Sequence, residues 1–158
     1  MNIKRVDHVS IVVEDLAAAT AFFTALGMSV VGEAPVEGPW VDRINGIEDV
    51  RVNIVMMQTP DGHSRLELTQ FRHPPLVIQQ PAVAPPNALG LRSIMFAVDN
   101  IDEVVELIKK SWAGVKGADG KPLNTDFETG DLRDWTATGE AGGRARLIEV
   151  VVLPTPPF

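Results

Sequence analysis

The chain has 158 residues, 45% of them hydrophobic and 22% charged, a balance that supports a folded domain with its own core and argues against disorder. Its 14 basic and 21 acidic residues leave a net charge of −7, which repels a phosphate backbone, and no basic stripe offsets it, so nucleic-acid binding is not expected. Cysteine and tyrosine are both absent, which removes disulfides, thiolate ligands, cysteine nucleophiles and phenolic acids.

The opening Met-Asn-Ile-Lys-Arg-Val-Asp-His runs directly into a strand pattern, without the apolar stretch of a signal peptide. No later segment reaches membrane-spanning length, so a cytoplasmic protein with no membrane partner is expected. Residues 5–13 alternate as a strand, with Val9, Ile11 and Val13 on one face and His8 and Ser10 on the other. Glu14-Asp15 then caps a helix from Leu16 to Leu26, which Gly27 closes. Residues 28–33 read as a second strand, and 34–49, with Pro35, Gly38, Pro39 and Gly46, as a loop. Val50–Gln58 and Arg65–Phe71 read as two more strands joined by a hairpin turn at Pro60-Asp61-Gly62.

From Pro74 to Gly90 five prolines punctuate the chain, the signature of a linker, because proline fixes φ and removes a donor. The first pattern then returns. Leu91–Val98 is a strand with Ile94, Phe96 and Val98 on one face and Ser93, Met95 and Ala97 on the other. Asn100, with Glu103 three residues on, caps a helix whose apolar face carries Ile101, Val104, Val105 and Ile108. Residues 113–134 are Gly- and Asp-rich and suggest no element. Trp135–Thr138 and Ala145–Leu153 read as closing strands.

The halves agree at an offset of 85 near their starts (Val6 with Leu91, His8 with Ser93) and 82 near their ends (Leu66 with Ile148). This points to a tandem duplication of one strand–helix–three-strand module: 1–73, a linker 74–90, and 91–158. The fold class expected is α+β, two tandem βαβββ modules whose curved sheets enclose a cleft within one structural domain. Asp7-His8-Val9-Ser10-Ile11-Val12-Val13, the Phe22-Phe23…Leu26-Gly27-Met28 helix end, Pro60-Asp61-Gly62…Leu66-Glu67-Leu68 and Phe96-Ala97-Val98-Asp99-Asn100-Ile101-Asp102 resemble the vicinal-oxygen-chelate superfamily, the glyoxalase/bleomycin resistance/dioxygenase-like proteins. The resemblance spans the chain except the linker and residues 113–134. It speaks to scaffold more than to reaction, since one fold hosts many chemistries.

In that family the first and last strands of each module lie side by side, and each carries a metal ligand pointing into the cleft. The resemblance therefore implies His8 and Glu67 as ligands in the first half and Ser93 and Glu149 at the matching positions of the second. The family places a histidine where this chain has Ser93. A neutral hydroxyl binds cations poorly, so Ser93 is read with Ser10 and Met95 as substrate-binding, leaving His8, Glu67 and Glu149 for a metal. Taken alone, His8 reads better as a strand histidine hydrogen-bonded in a sheet wall, and only the family position favours a ligand; Glu67 reads nearly as well as a solvated carboxylate beside Arg65. Glu149 stands inside Leu147–Leu153, apolar on both faces, where a carboxylate must be paired, protonated or bound to a cation. It is read as ligand or general base.

One imidazole and two carboxylates suit Mn, Mg, Ni or Zn. No organic cofactor is called for; Gly114…Gly117…Gly120-Lys121 lacks phosphate-loop spacing. The set is not a two-histidine, one-carboxylate triad, so ring-cleaving dioxygenase activity is not expected. His63 and His73 read as surface residues, and Met56, Met57, Trp40, Trp112 and Trp135 as core or cleft lining. Two functions follow from the resemblance. One is a metal-dependent lyase or epimerase that stabilises an enediolate or enolate while Glu149 moves a proton α to a carbonyl. The other is a metal-free module that sequesters an antibiotic or another small hydrophobic molecule in the same cleft. Both imply a small-molecule ligand and a homodimer.

Overall fold

The computed structural model describes residues 3–77, 89–90, 93–112 and 146–151. The chain divides into two compact units, Met1–Ile78, together with Phe158, and Gln79–Pro157. The architecture is mixed α/β. In the first unit β1 (Val9–Val12), α1 (Leu16–Ala25), β2 (Ser29–Glu37), α2 (Pro39–Asn45), β3 (Arg51–Gln58) and β4 (Arg65–His73) follow in chain order. The strands form one sheet in the order β1-β4-β3-β2. β1 runs parallel to β4 with Val9 opposite Leu66 and Ser10 opposite Glu67, while β3 is antiparallel to both β4 and β2.

The alternation read from the sequence separates the two faces of this sheet. Ile11, Val55, Met57, Leu66 and Leu68 point to one side and are buried there with Val13, Met28 and the α1 residues Ala19, Phe22 and Phe23. α1 starts where Asp15 accepts a bond from the Ala18 amide at 2.9 Å, satisfying a donor the helix leaves open. It covers this apolar face, lying against β2, β3 and β4. The opposite face carries Ser10 and Val12 of β1, Glu67 and Thr69 of β4, and Met56 and Ile54 of β3, paired across the strands.

Residues 34–49, expected as a loop, instead continue β2 to Glu37 and then form α2. The prolines that suggested a loop have specific places. Pro35 sits on an edge strand, where a missing N–H is tolerated, and Pro39 begins α2, where the N–H is unused in any case. Gly46 ends α2 at φ 67, a left-handed cap that side chains disfavour. Asp42 then ties the helix to the sheet, its two carboxylate oxygens accepting from the Asp49 and Val50 amides at 3.1 and 2.8 Å. Asp49 itself holds φ 55 and is clamped by Arg51, whose guanidinium also keeps the Asp49 carboxyl below the ordinary carboxylate value. Val41 of α2 packs with Val50 and Val52 against Val36, Ile54 and Phe71, a second small core. Trp40, expected as core or cleft lining, is 53% exposed and so is not core, because α2 turns Val41 inward in its place.

The hairpin turn lies where expected: the Thr59 amide donates to Ser64 O, and Gly62 takes φ 74. In the second unit β5 (Ser93–Val98), α3 (Ile101–Trp112) and β6 (Arg146–Val151) are described. Asn100 caps α3 through the Asp102 and Glu103 amides, as its spacing suggested. β5 pairs with β6 antiparallel, so the two pairs of first and last strands agree in adjacency but not in sense. The linker residues 78–88, the segment 113–134 and the expected strand Trp135–Thr138 lie outside the described residues. No helix among the described residues is long and apolar enough to cross a membrane.

Leu68 is wholly enclosed and Val12 is 45% exposed on the other face. Leu68→Ala is expected to lower the unfolding free energy by about 2–5 kcal/mol and Val12→Thr by no more than about 0.5 kcal/mol, measured by urea denaturation.

Candidate functional site

The register of β1 on β4 builds a polar cluster at one end of the open sheet face. His8 stands just before β1, Ser10 lies within it, and Glu67 is Ser10's cross-strand partner. The His8 Nε2 and the Glu67 Oε2 are 3.8 Å apart, with side chains 37% and 21% exposed. Behind the imidazole, Asp7 Oδ2 lies 3.1 Å from His8 Nδ1. A carboxylate can only accept, so Nδ1 carries a proton, and the other ring nitrogen, Nε2, is the one turned toward Glu67.

Asp7 is held in turn by Arg5 at 2.9 Å, with Arg65 at 3.9 Å. The hydrogen bond from His8, and after it that from Arg5, holds the Asp7 carboxyl below the ordinary carboxylate value. Glu67 is anchored on its other oxygen: Oε1 accepts from Ser10 Oγ at 2.9 Å and from Thr69 Oγ1 at 3.1 Å. Each donor atom that faces the gap thus belongs to a group oriented by partners behind it.

These two donors suit a divalent cation in kind. Ligands at about 2.0–2.2 Å from one ion lie about 3.0–3.5 Å apart, so closing the 3.8 Å gap takes a few tenths of an ångström. An imidazole whose far nitrogen donates to a carboxylate is the arrangement that metal-binding histidines adopt. Among the described residues no group of three or more His, Cys, Asp or Glu is arranged to hold a metal ion.

The other three residues singled out in the sequence lie in the second unit. Met95 is the cross-strand partner of Glu149, and Ser93 that of Val151. Met95 is 48% exposed, on the more open face of β5. The sequence reading assigned no role to Asp7 or Thr69. Asp7 was signalled by its place beside His8, and Thr69 by being a polar residue two positions beyond Glu67, hence on the same strand face. His63 and His73 are exposed, His73 bonding Asp49 O at 2.8 Å.

The model of the glyoxalase/bleomycin resistance protein/dioxygenase superfamily matches residues 5–121. The chain belongs to this superfamily. Among solved structures, a glyoxalase family protein from Bacillus cereus is similar, with 42% sequence identity and a TM-score of 0.64 over 73% of this chain and 76% of that one. No curated protein matches the chain. The span matched to the superfamily includes His8, Ser10, Glu67, Ser93 and Met95 and ends before Glu149.

Because the folded Asp7 is more acidic than in the unfolded chain, its contribution is full above the unfolded value of about 3.9 and is lost as pH falls through the lower folded value. The stability difference between the wild type and Asp7→Asn should be level above about pH 5 and shrink toward pH 2, read by thermal melts across that range.

Proposed function

We propose that this member of the superfamily is a divalent-metal-dependent lyase or epimerase, with His8 and Glu67 as two metal ligands. The observation that carries the reading is the oriented pair itself: His8 Nε2 and Glu67 Oε2 at 3.8 Å, each on a side chain secured from behind. When bound, such a cation would stabilise negative charge developing on neighbouring substrate oxygens. Glu149 is the candidate third ligand or the base that takes a proton α to the carbonyl. Met95, its cross-strand partner, and Ser93 would contact substrate. The scaffold for this reading is a pair of βαβββ modules, 1–73 and 91–158, joined by 74–90, in a cytoplasmic homodimer.

A second reading has one observation in its favour. Ser93 stands where the superfamily resemblance leads one to expect a histidine, and a cleft short of one ligand suits a metal-free protein that holds a small hydrophobic molecule.

Metal analysis of protein purified without chelator, followed by Mn, Ni and Zn titrations, separates the two. The enzyme reading expects a stoichiometric ion whose affinity falls by about 100-fold or more in His8→Ala and Glu67→Gln, given that loss of an outer partner alone costs 10–100-fold. A comparable fall in Glu149→Gln would make Glu149 a ligand, whereas lost turnover at unchanged affinity would make it the base. Wild-type protein that takes up no ion under any of these conditions would leave the binding-protein reading.

A further inference from the structure

Among the described residues Thr69 is the buried polar side chain, 6% exposed. Its cross-strand neighbours are Val12 on β1 and Ile54 on β3, both aliphatic. Packing and strand propensity would be served equally by valine, which has the same branched shape without a hydroxyl to desolvate. The hydroxyl therefore answers to something else, and its partners show what. Thr69 Oγ1 lies 3.1 Å from Glu67 Oε1 and 3.1 Å from Ser10 Oγ, while Ser10 Oγ lies 2.9 Å from the same Oε1.

Three oxygens thus form a closed triangle that holds two protons when Glu67 is ionised. A carboxylate supplies none, so one edge goes without a proton; with Ser10 and Thr69 both donating to Oε1, that edge is the one between the two hydroxyls. The terminal torsion of glutamate is broad and nearly two-fold, so an unrestrained carboxylate offers either oxygen in many orientations. Two donors fixed on adjacent strands remove that freedom. They occupy Oε1 and leave Oε2 as the oxygen that faces His8 Nε2.

We propose that Thr69 and Ser10 are positioning residues that set the Glu67 carboxylate for ion binding, so that the Ser10 proton serves Glu67 rather than a substrate. The inference rests on the reading of His8 and Glu67 as metal ligands. Its effect is preorganisation: the carboxylate orientation needed at the ion exists before the ion arrives.

The test is Mn²⁺ titration calorimetry on the full chain as Thr69→Val, Thr69→Ser, Ser10→Ala and the Ser10→Ala/Thr69→Val double variant, each checked for an intact fold by circular dichroism. Thr69→Val should weaken Mn²⁺ binding by about 10-fold and the double variant by up to about 100-fold, the range seen for outer-shell partners. Thr69→Ser, which keeps the hydroxyl, should recover to within about 3-fold of wild type. In a Glu67→Gln background Thr69→Val should change nothing further, which a merely structural role would not produce. Metal-free crystal structures of wild type and the double variant supply a readout independent of any ion: Glu67 Oε2 should face His8 in the first and turn away in the second. Wild-type affinity in the double variant, or an unmoved Glu67 carboxylate, would overturn the inference. If the wild type binds no Mn²⁺, the metal reading fails, and the two crystal structures still decide whether the hydroxyls position Glu67.

Discussion

The parallel pairing of β1 with β4 is the constraint on which the candidate site depends. It joins residues 57 positions apart and sets Ser10 directly across from Glu67. The ladder continues past the strand ends, through the Val13 amide to Thr69 O at 2.9 Å and the Gln70 side chain to Glu14 O at 2.7 Å. Strand side chains alternate with a period of two, so a slip of one residue in this register would exchange every partner. Glu67 would face the α1 side and Leu68 would face water. The aliphatic set Ile11, Val13, Leu66 and Leu68 beneath α1 makes that slip costly. The apolar face thus holds the register, and the register assembles the polar cluster on the opposite face.

That division of labour also places the two helices. α1 closes the apolar side, leaving the face with Ser10 and Glu67 free of it, while α2 covers the far part of that second face through Val41 against Val36, Val52, Ile54 and Phe71. Along the second face the residues change from this small core, through Ile54 and Thr69, to Met56 and Glu67 near His8.

The elements with a clean period were legible in the sequence: β1, α1, β3, the Gly62 turn, β4 and the Asn100-capped α3. The stretch 34–49 was not. Its Pro and Gly residues signal breaks in general, yet Pro35 occupies an edge strand and Pro39 a helix start, positions defined only by which neighbours are present. Core was open as a reading of Trp40 for the same reason, since a seven-residue helix has too few turns for its buried side to be read from spacing alone. At the site, His8 and Glu67 could be named from the family resemblance together with strand alternation. Asp7 and Thr69 were not named, although Asp7 stands beside His8 and Thr69 lies two positions beyond Glu67 on the same strand face; what they do depends on which oxygens come within reach.

The sequence by itself determined the superfamily, the two faces of β1 and β5, the caps of α1 and α3 and the polar residues at the end of β1 and in β4. These are local properties: a side chain's face follows from its parity, and a cap from its spacing. Only the tertiary structure decided that Glu67 spends one oxygen on Ser10 and Thr69 and turns the other toward a histidine already bound to Asp7. It also decided that β5 meets β6 in the antiparallel sense. Both are matters of register and distance between residues far apart in the chain. No local preference encodes such a distance; it follows from how the apolar faces pack.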